Sequence, residues 1–286
     1  MYDIIVLGGG PAGLSAAIYA KRAGKTVLVI ERFAAGGQLM NTPDIENYPG
    51  LGKLPGWELA EKLERHARDL KAELLLATAS SLTIDNGIFT VNGAYKSKAL
   101  IFALGAARRR LNCAGEDQFA GRGVSYCATC DGGFFKGKPV VVVGGGDTAL
   151  EDARYLKALG CAVTLVHRRE EFRTKQSYDL SGIALKLGRQ VVGIEGGQRV
   201  ERVTLDNGER LDASAVFIAV GVVPNTELLR GLVPLCESGH VAAGEDCRTA
   251  VPRLYVAGDA RKKALYQVVT AAADGANAAG AAGVDQ

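Results

Sequence analysis

The sequence predicts an α/β protein of two similar domains, the second inserted into the first, and three features carry that prediction. An apolar run, a glycine turn and an Ala-rich helical stretch follow one another at the N-terminus, Y-D-I-I-V-L-G-G-G-P-A-G-L-S-A-A. The same order recurs in mid-chain as V-V-V-V-G-G-G-D-T-A-L-E-D-A. A third apolar run closing on Gly-Asp, R-L-Y-V-A-G-D-A, follows both and has no repeat partner of its own, so it is expected to return and complete the first domain.

Composition sets the outer limits. With 286 residues, 48% hydrophobic and 23% charged, the chain is long enough for two ordinary domains and a sizeable core, which excludes a disordered or fibrous protein. A formal net charge of +3 is slight, and the basic runs at 108–110 and 261–263 are short and lack interleaved aromatics, so no nucleic-acid partner is expected. No stretch nears the roughly twenty apolar residues of a membrane span, and no basic signal-peptide head precedes the first strand; the expected location is cytoplasmic, away from membranes. Six cysteines are too few for a disulfide scaffold, and Cys113, Cys161, Cys236 and Cys247 stand alone. Only Cys127 and Cys130 form a close pair.

In the first domain, Gly8, Gly10 and Gly13 satisfy G-x-G-x-x-G. The first glycine permits a tight turn, the second lets a pyrophosphate approach the backbone, and the third lets helix and strand pack closely. The helix then points unpaired N–H groups and a positive dipole end at the phosphates. A second strand, K-T-V-L-V-I-E, ends at Glu31, where a carboxylate can accept from a ribose hydroxyl. This is the plan of a Rossmann-like, three-layer ββα nucleotide-binding domain. A hairpin turn at Asp85, Asn86 and Gly87 precedes a last strand, A-L-I-F-A-L-G, ending at Gly105.

The second domain repeats the plan with Gly144, Gly146 and Ala149. Its second strand finishes with His167, Arg168 and Arg169 instead of an acid, and Arg173 lies one helical turn beyond. Guanidinium groups there favour a 2′-phosphate, so this site reads as one for NADPH and the first as one for a nucleotide with a free ribose; the bland alternative is a solvated surface cluster. A turn at Asp206, Asn207 and Gly208 precedes the strand A-V-F-I-A-V-G ending at Gly221. The expected boundaries are residues 1–110 and 239–286 for the first domain and 111–238 for the second. After the third apolar run comes an Ala-rich helix over 268–282, and Asp259 stands where it could accept from a ribityl or ribose hydroxyl.

The cysteine pair sits in Y-C-A-T-C-D-G-G-F-F. A zinc ribbon needs four ligands, and neither the other cysteines nor His66, His167 and His240 show matching spacing, so no metal is expected. A structural staple is disfavoured by a reducing cytoplasm and by the small loop it would close. Dithiol–disulfide exchange remains, with Asp131 as a titratable neighbour or, equally, a helix N-cap. Hydride from NADPH needs a two-electron intermediary before it can reach sulfur, and a flavin is one; the parts read as a path from NADPH to FAD to disulfide.

Residues 8–13 G-G-G-P-A-G, 36–38 G-G-Q, 45–50 I-E-N-Y-P-G, 123–135 G-V-S-Y-C-A-T-C-D-G-G-F-F, 144–153 G-G-G-D-T-A-L-E-D-A, 167–169 H-R-R and 254–260 L-Y-V-A-G-D-A together resemble the low-molecular-weight bacterial thioredoxin reductases, nearly end to end. The resemblance implies an FAD-containing homodimer that reduces thioredoxin or a thioredoxin-like protein with NADPH. Carried over by position, it implies that Gly10, Gly13, Glu31, Gln38, Asn47 and Asp259, with Gly8, Gly37, Gly258 and Gln267 of the same segments, hold FAD. Likewise Gly146, Thr148, Glu151, His167, Arg168, Arg169 and Arg173, with Gly144 and Asp147, would hold NADPH, and Asp131 would protonate a departing thiolate. Two departures stand out. Tyr266 precedes Gln267 where the family has arginine, and the connection after Arg169 is short, with helix reduced to one turn around Lys175 to Asp179. That shortening leaves open loose binding of NADPH or its replacement by another donor such as ferredoxin; a redox sensor without turnover is a separate alternative.

Overall fold

The computed structural model describes residues 1–42, 44–174 and 176–285. Contacts divide the chain into two compact units, Met1–Ala107 with Val223–Gln286, and Arg108–Val222.

The first unit starts with β1 (Tyr2–Leu7), the glycine turn and α1 (Pro11–Arg22), with Pro11 in the first turn, where its missing N–H costs nothing. There follow β2 (Val27–Glu31), α2 (Gly56–Asp69), β3 (Glu73–Leu76), the hairpin β4 (Leu82–Asp85) and β5 (Ile88–Val91), then β6 (Tyr95–Phe102) and the short β7 (Ala106–Arg108). β1 has parallel partners on both sides, β2 and β6, and its continuous apolar run is the consequence: Ile4, Ile5, Val6 and Leu7 are fully buried. The hairpin turn uses Asn86 and Gly87 at φ 48° and 74°, the pair of positive angles a two-residue loop requires.

The second unit holds β8 (Val124–Ser125), α3 (Ala128–Asp131), β9 (Pro139–Val143), α4 (Asp147–Ala158), β10 (Ala162–His167), β11 (Ala184–Leu187), β12 (Val191–Glu195), β13 (Arg202–Leu205), β14 (Arg210–Asp212), β15 (Ala215–Ile218) and the start of β16 (Val222–Pro224). The chain then supplies the first unit with β17 (Leu254–Val256) and α5 (Val268–Val284).

The sheets show the duplication strand by strand. In the first unit the parallel order is β3-β2-β1-β6, and β17 pairs with β6 through Leu254 opposite Leu100 and Val256 opposite Phe102. In the second it is β11-β10-β9-β15-β8, all parallel. β17 therefore does have a counterpart, the two-residue β8, which comes first in its unit instead of last. Each unit adds an antiparallel excursion: β4 and β5 beside the lower half of β6, and a separate sheet β12-β13-β14.

Two expectations need correcting. The return to the first unit comes at Val223, earlier than the expected 239, because Leu229, Val233 and Val241 are buried in one core with Ile5, Leu7 and Phe102, and Asn225 Nδ2 donates to the Leu104 carbonyl at 2.8 Å. The chain likewise leaves at 107 instead of 110. The expected helical turn around 175–179 is not formed by the described residues of that stretch, and Lys175 lies outside them.

α1 and α5 pack through their small residues. A Cβ on Gly275 would lie 2.0 Å from the Ala12 carbonyl oxygen, and Ser15 Oγ donates to the Ala272 carbonyl at 2.6 Å. Gly275→Ala must push the helices apart and is expected to destabilise by roughly 1–3 kcal/mol. Gly280→Ala, in open space on the same helix, is expected to stabilise by about 0.5–1 kcal/mol. Urea unfolding of both variants checks the pair.

Candidate active site

The glycine loop of the first unit is shaped by contact with its neighbours. A Cβ on Gly8 would lie 2.4 Å from the Ala103 carbonyl oxygen, and one on Gly13 would lie 1.8 Å from that of Gly8. Gly10 faces open space, its nearest neighbour being Gly37 Cα at 4.0 Å, so a phosphate has room to approach. Glu31 braces the loop from the end of β2: Oε2 accepts from the Gly9 N–H at 2.7 Å and Oε1 from the Phe33 N–H at 3.1 Å. Gly36 N–H donates to the Gly9 carbonyl at 2.7 Å, and Gln38 Nε2 donates to the Ala106 carbonyl at 2.6 Å. Asn47 Nδ2 donates to Gln267 Oε1 at 3.0 Å, bringing together two residues far apart in sequence, and Gln267 in turn caps α5 in a box with Thr270.

Asp259 follows β17 and the left-handed Gly258 (φ 72°). Its Oδ1 is buried and, among the described residues, accepts no hydrogen bond, although Lys263 Nζ stands 3.3 Å away as an ion pair. A buried carboxylate oxygen left without a hydrogen bond is unfavourable by about 1–3 kcal/mol, and a ligand hydroxyl would relieve it. Together with the open face of Gly10 and the acceptor at Glu31, this chemistry fits a nucleotide carrying several hydroxyl groups.

Sequence reading missed what holds Asp259. Asp274 of α5 is 4% exposed; its Oδ2 accepts from the Gly258 N–H at 3.0 Å and from Lys263 Nζ at 3.1 Å, and its Oδ1 accepts from Arg261 at 2.6 Å. Its one signal in the sequence was an acid within an Ala-rich helix.

In the second unit Gly144 repeats the geometry of Gly8, since a Cβ there would lie 2.4 Å from the Ala219 carbonyl oxygen, and Gly146 faces open space. Arg173 N–H donates to the Gly145 carbonyl at 2.6 Å, the place taken by Gly36 in the first unit. Arg168, Arg169 and Arg173 are exposed, and among the described residues none of them is in an ion pair. His167 sits differently: it is 6% exposed, stacks on Phe172 at 5.8 Å and has Nε2 3.1 Å from the Glu171 carbonyl. Burial lowers its pKa, so it forms a neutral floor beneath Gly145. Asp147 and Glu151 receive the Tyr178 hydroxyl at 3.1 and 3.2 Å, Thr174 also donates to Asp147, and Thr148 is exposed on the first turn of α4.

The cysteines lie just after β8. Cys127 and Cys130 form a disulfide with Cα atoms 5.3 Å apart. The N-cap of α3 is Cys127, with Cys130 N–H pointing at its Sγ at 3.2 Å; Asp131 stands at the N-cap position of the 3-10 turn that follows, Gly132–Phe135, without a side-chain capping bond. Tyr126 anchors the segment by donating to Glu116 Oε1 at 2.6 Å; burial and that carboxylate push the phenol up to about 12. Glu116 is 1% exposed and also accepts from the Asn112 N–H at 2.7 Å. Behind α3, Gly132 lies so near Leu156 of α4 that a Cβ would be 2.8 Å from it.

A disulfide beside two dinucleotide folds defines a class. The family model for pyridine nucleotide-disulphide oxidoreductases matches residues 2–275, and the chain belongs to that family. It is thus an oxidoreductase acting on a sulfur group. Among curated proteins it is 40% identical to the thioredoxin reductase of Listeria innocua, over 96% of this chain and 91% of that one, and 40% identical to the thioredoxin reductase of Bacillus subtilis, over 98% and 93%. Among solved structures, the thioredoxin reductase of Streptococcus pyogenes superposes with a TM-score of 0.91 at 36% identity, covering 99% of this chain and 97% of that one. Among the described residues, no helix is long and apolar enough to cross a membrane.

Two tests follow from these charges. Asp274→Ala takes the carboxylate from Arg261 and leaves Lys263 with Asp259 alone, and is expected to cost about 3 kcal/mol in urea unfolding. Asp152 of α4 is raised to about 6 by burial, with Glu151 adding to the shift. The folded state then holds this proton more tightly than the unfolded one, so its contribution to stability falls as pH rises from about 4 to 6. Asp152→Asn is expected to remove that slope and to be the more stable protein at pH 7.

Proposed function

We propose that the chain is an NADPH-dependent thioredoxin-disulfide reductase, with FAD in the first unit, NADPH in the second, and Cys127 and Cys130 as the pair that reduces thioredoxin or a thioredoxin-like protein. The observation that carries this reading is the Cys127–Cys130 disulfide at the start of α3, in a unit whose glycine loop is flanked by three exposed arginines that form no ion pair among the described residues. Gly8, Gly10, Gly13, Glu31, Gly37, Gln38, Asn47, Gly258, Asp259 and Gln267 would hold FAD, and the buried Asp259 oxygen, which among the described residues accepts no hydrogen bond, supports that assignment. Gly144, Gly146, Asp147, Thr148, Glu151, Arg168, Arg169 and Arg173 would hold NADPH, with His167 shaping the loop from below. When bound, the flavin supplies a carrier that takes two electrons at once and passes them to sulfur.

The protein's part is to receive them at the right atoms. Two electrons entering the S–S bond break it; one sulfur leaves as a thiolate and needs a proton. Asp131, the residue after Cys130, is the acid that supplies it and is left as the carboxylate, while the other sulfur takes its proton from water. In the opposite half, a thiol of the pair attacks the partner's disulfide and gives its proton to the Asp131 carboxylate; the second thiol then closes the pair, its proton and one from water go to the partner's two sulfurs, and the partner leaves as a dithiol. Arg168 and Arg169 offer planar forks to a 2′-phosphate, which separates NADPH from NADH. The same reading makes the protein a cytoplasmic homodimer.

Two measurements check it. Cys127→Ser with Cys130→Ser is expected to abolish thioredoxin reduction while NADPH still bleaches the flavin band; sustained thioredoxin turnover would contradict the proposal. Arg168→Ala with Arg169→Ala is expected to raise KM for NADPH about tenfold or more, roughly 1.4 kcal/mol or above, and to leave KM for NADH nearly unchanged. Equal effects on the two, or no binding of either nucleotide by calorimetry, would favour a different electron donor.

A further inference from the structure

Asp131 does not stand alone beside the disulfide. Ser125, the last residue of β8, is 6% exposed, and its Oγ donates to Asp131 Oδ2 at 2.6 Å while accepting from the Cys127 N–H at 3.1 Å. The same Oγ lies 3.3 Å from the Cys127 carbonyl. β8 is held in the sheet by β15, with Phe217 opposite Ser125, so the hydroxyl is fixed by the parallel sheet and not by the loop it serves.

We propose that Ser125 is a positioning residue for proton transfer at the cysteine pair. Its hydroxyl has one hydrogen and two acceptors within reach. When Asp131 is ionised the hydrogen belongs to the carboxylate, the shorter and charge-assisted bond. When Asp131 is protonated, the carboxylic O–H can donate to Oγ and the serine hydrogen can turn to the Cys127 carbonyl. Both protonation states of Asp131, which is half-buried, then find a partner in Ser125 without moving the backbone. The sequence hides this role: a serine at the end of a two-residue strand reads as filler, and β8 pairs with a strand far along the chain.

The inference rests on the assignment of Asp131 as the acid–base group, and the test separates the two. Titratable and charged groups on the elements around α3 are Tyr126 with Glu116 and Arg108 before it, Asp147, Glu151, Asp152, Arg154, Tyr155 and Lys157 on α4 beside it, and Lys136 and Lys138 after it. Flavin-loaded enzyme is reduced with dithiothreitol, freed of it, and mixed with 5,5′-dithiobis(2-nitrobenzoate) across pH 5–9, subtracting the Cys127→Ser, Cys130→Ser protein. In this exchange the dithiol becomes a disulfide, the probe's S–S bond yields two nitrothiobenzoate anions, Asp131 takes the proton of the attacking thiol, and the proton of the second thiol goes to water. Loss of the donor hydroxyl disfavours the carboxylate, so Ser125→Ala is expected to move the acid limb of the rate profile to higher pH, and Ser125→Thr to restore it. The shift is expected to persist in an Asp152→Asn background. An acid limb that stays in place in Ser125→Ala, or a shift that vanishes with Asp152→Asn, overturns the role of Ser125. An acid limb that survives Asp131→Asn overturns instead the assignment of Asp131.

Discussion

The approach of one backbone to another at two glycines sets the geometry of everything downstream. Gly8 and Gly144 each lie where a Cβ would sit 2.4 Å from a carbonyl oxygen just past the neighbouring parallel strand, at Ala103 and Ala219. No side chain fits there. The contact lets β1 and β9 hand the chain directly to a helix while the strands alongside end at the same level, so that helix start, strand ends and returning loop converge on one edge of each sheet. Gly10 and Gly146 then present bare backbone to the space in front.

What each unit places at that edge is where they diverge. Beside the last core strand, the first unit sets β17 and the Gly258 turn that aims Asp259; the second sets β8 and the turn that carries Cys127. The two chemistry-bearing segments occupy one position of a common plan. Asp259 is fixed by an ionic network through Lys263 and Asp274, whereas the cysteine segment is fixed by hydroxyl groups, Ser125 on Asp131 and Tyr126 on Glu116. A rigid ionic clamp suits the proposed role of Asp259, which would only hold a ligand. Hydroxyl groups, which both donate and accept, suit a site whose neighbours gain and lose protons.

Much of this was legible in the chain. Glycine fingerprints followed by helical periodicity located both loops, and the Asn-Gly turns located the excursions, because these are local rules acting on consecutive residues. The correspondence of β17 with β8 was not legible, since β8 is two residues long and stands at the opposite end of its unit's sequence. The return at Val223 was hidden for a similar reason: Leu229, Val233 and Val241 have no periodicity and are recognisable as core only once β6 and β17 are beside them. At the site, spacing pointed to the arginines, the cysteines and His167 alike, and did not show that His167 is buried. Its burial under Gly145 against Phe172 depends on a short connection that no motif describes.

The central claim is that electrons delivered by a pyridine nucleotide arrive at one pair of sulfurs. It is tested most directly by adding a single equivalent of NADPH to the flavin-loaded protein under anaerobic conditions, trapping thiols with iodoacetamide, and mapping the six cysteines by mass spectrometry. The account predicts new labelling confined to Cys127 and Cys130. Labelling unchanged from the untreated protein, with the pair still joined after the nucleotide is consumed, would contradict it.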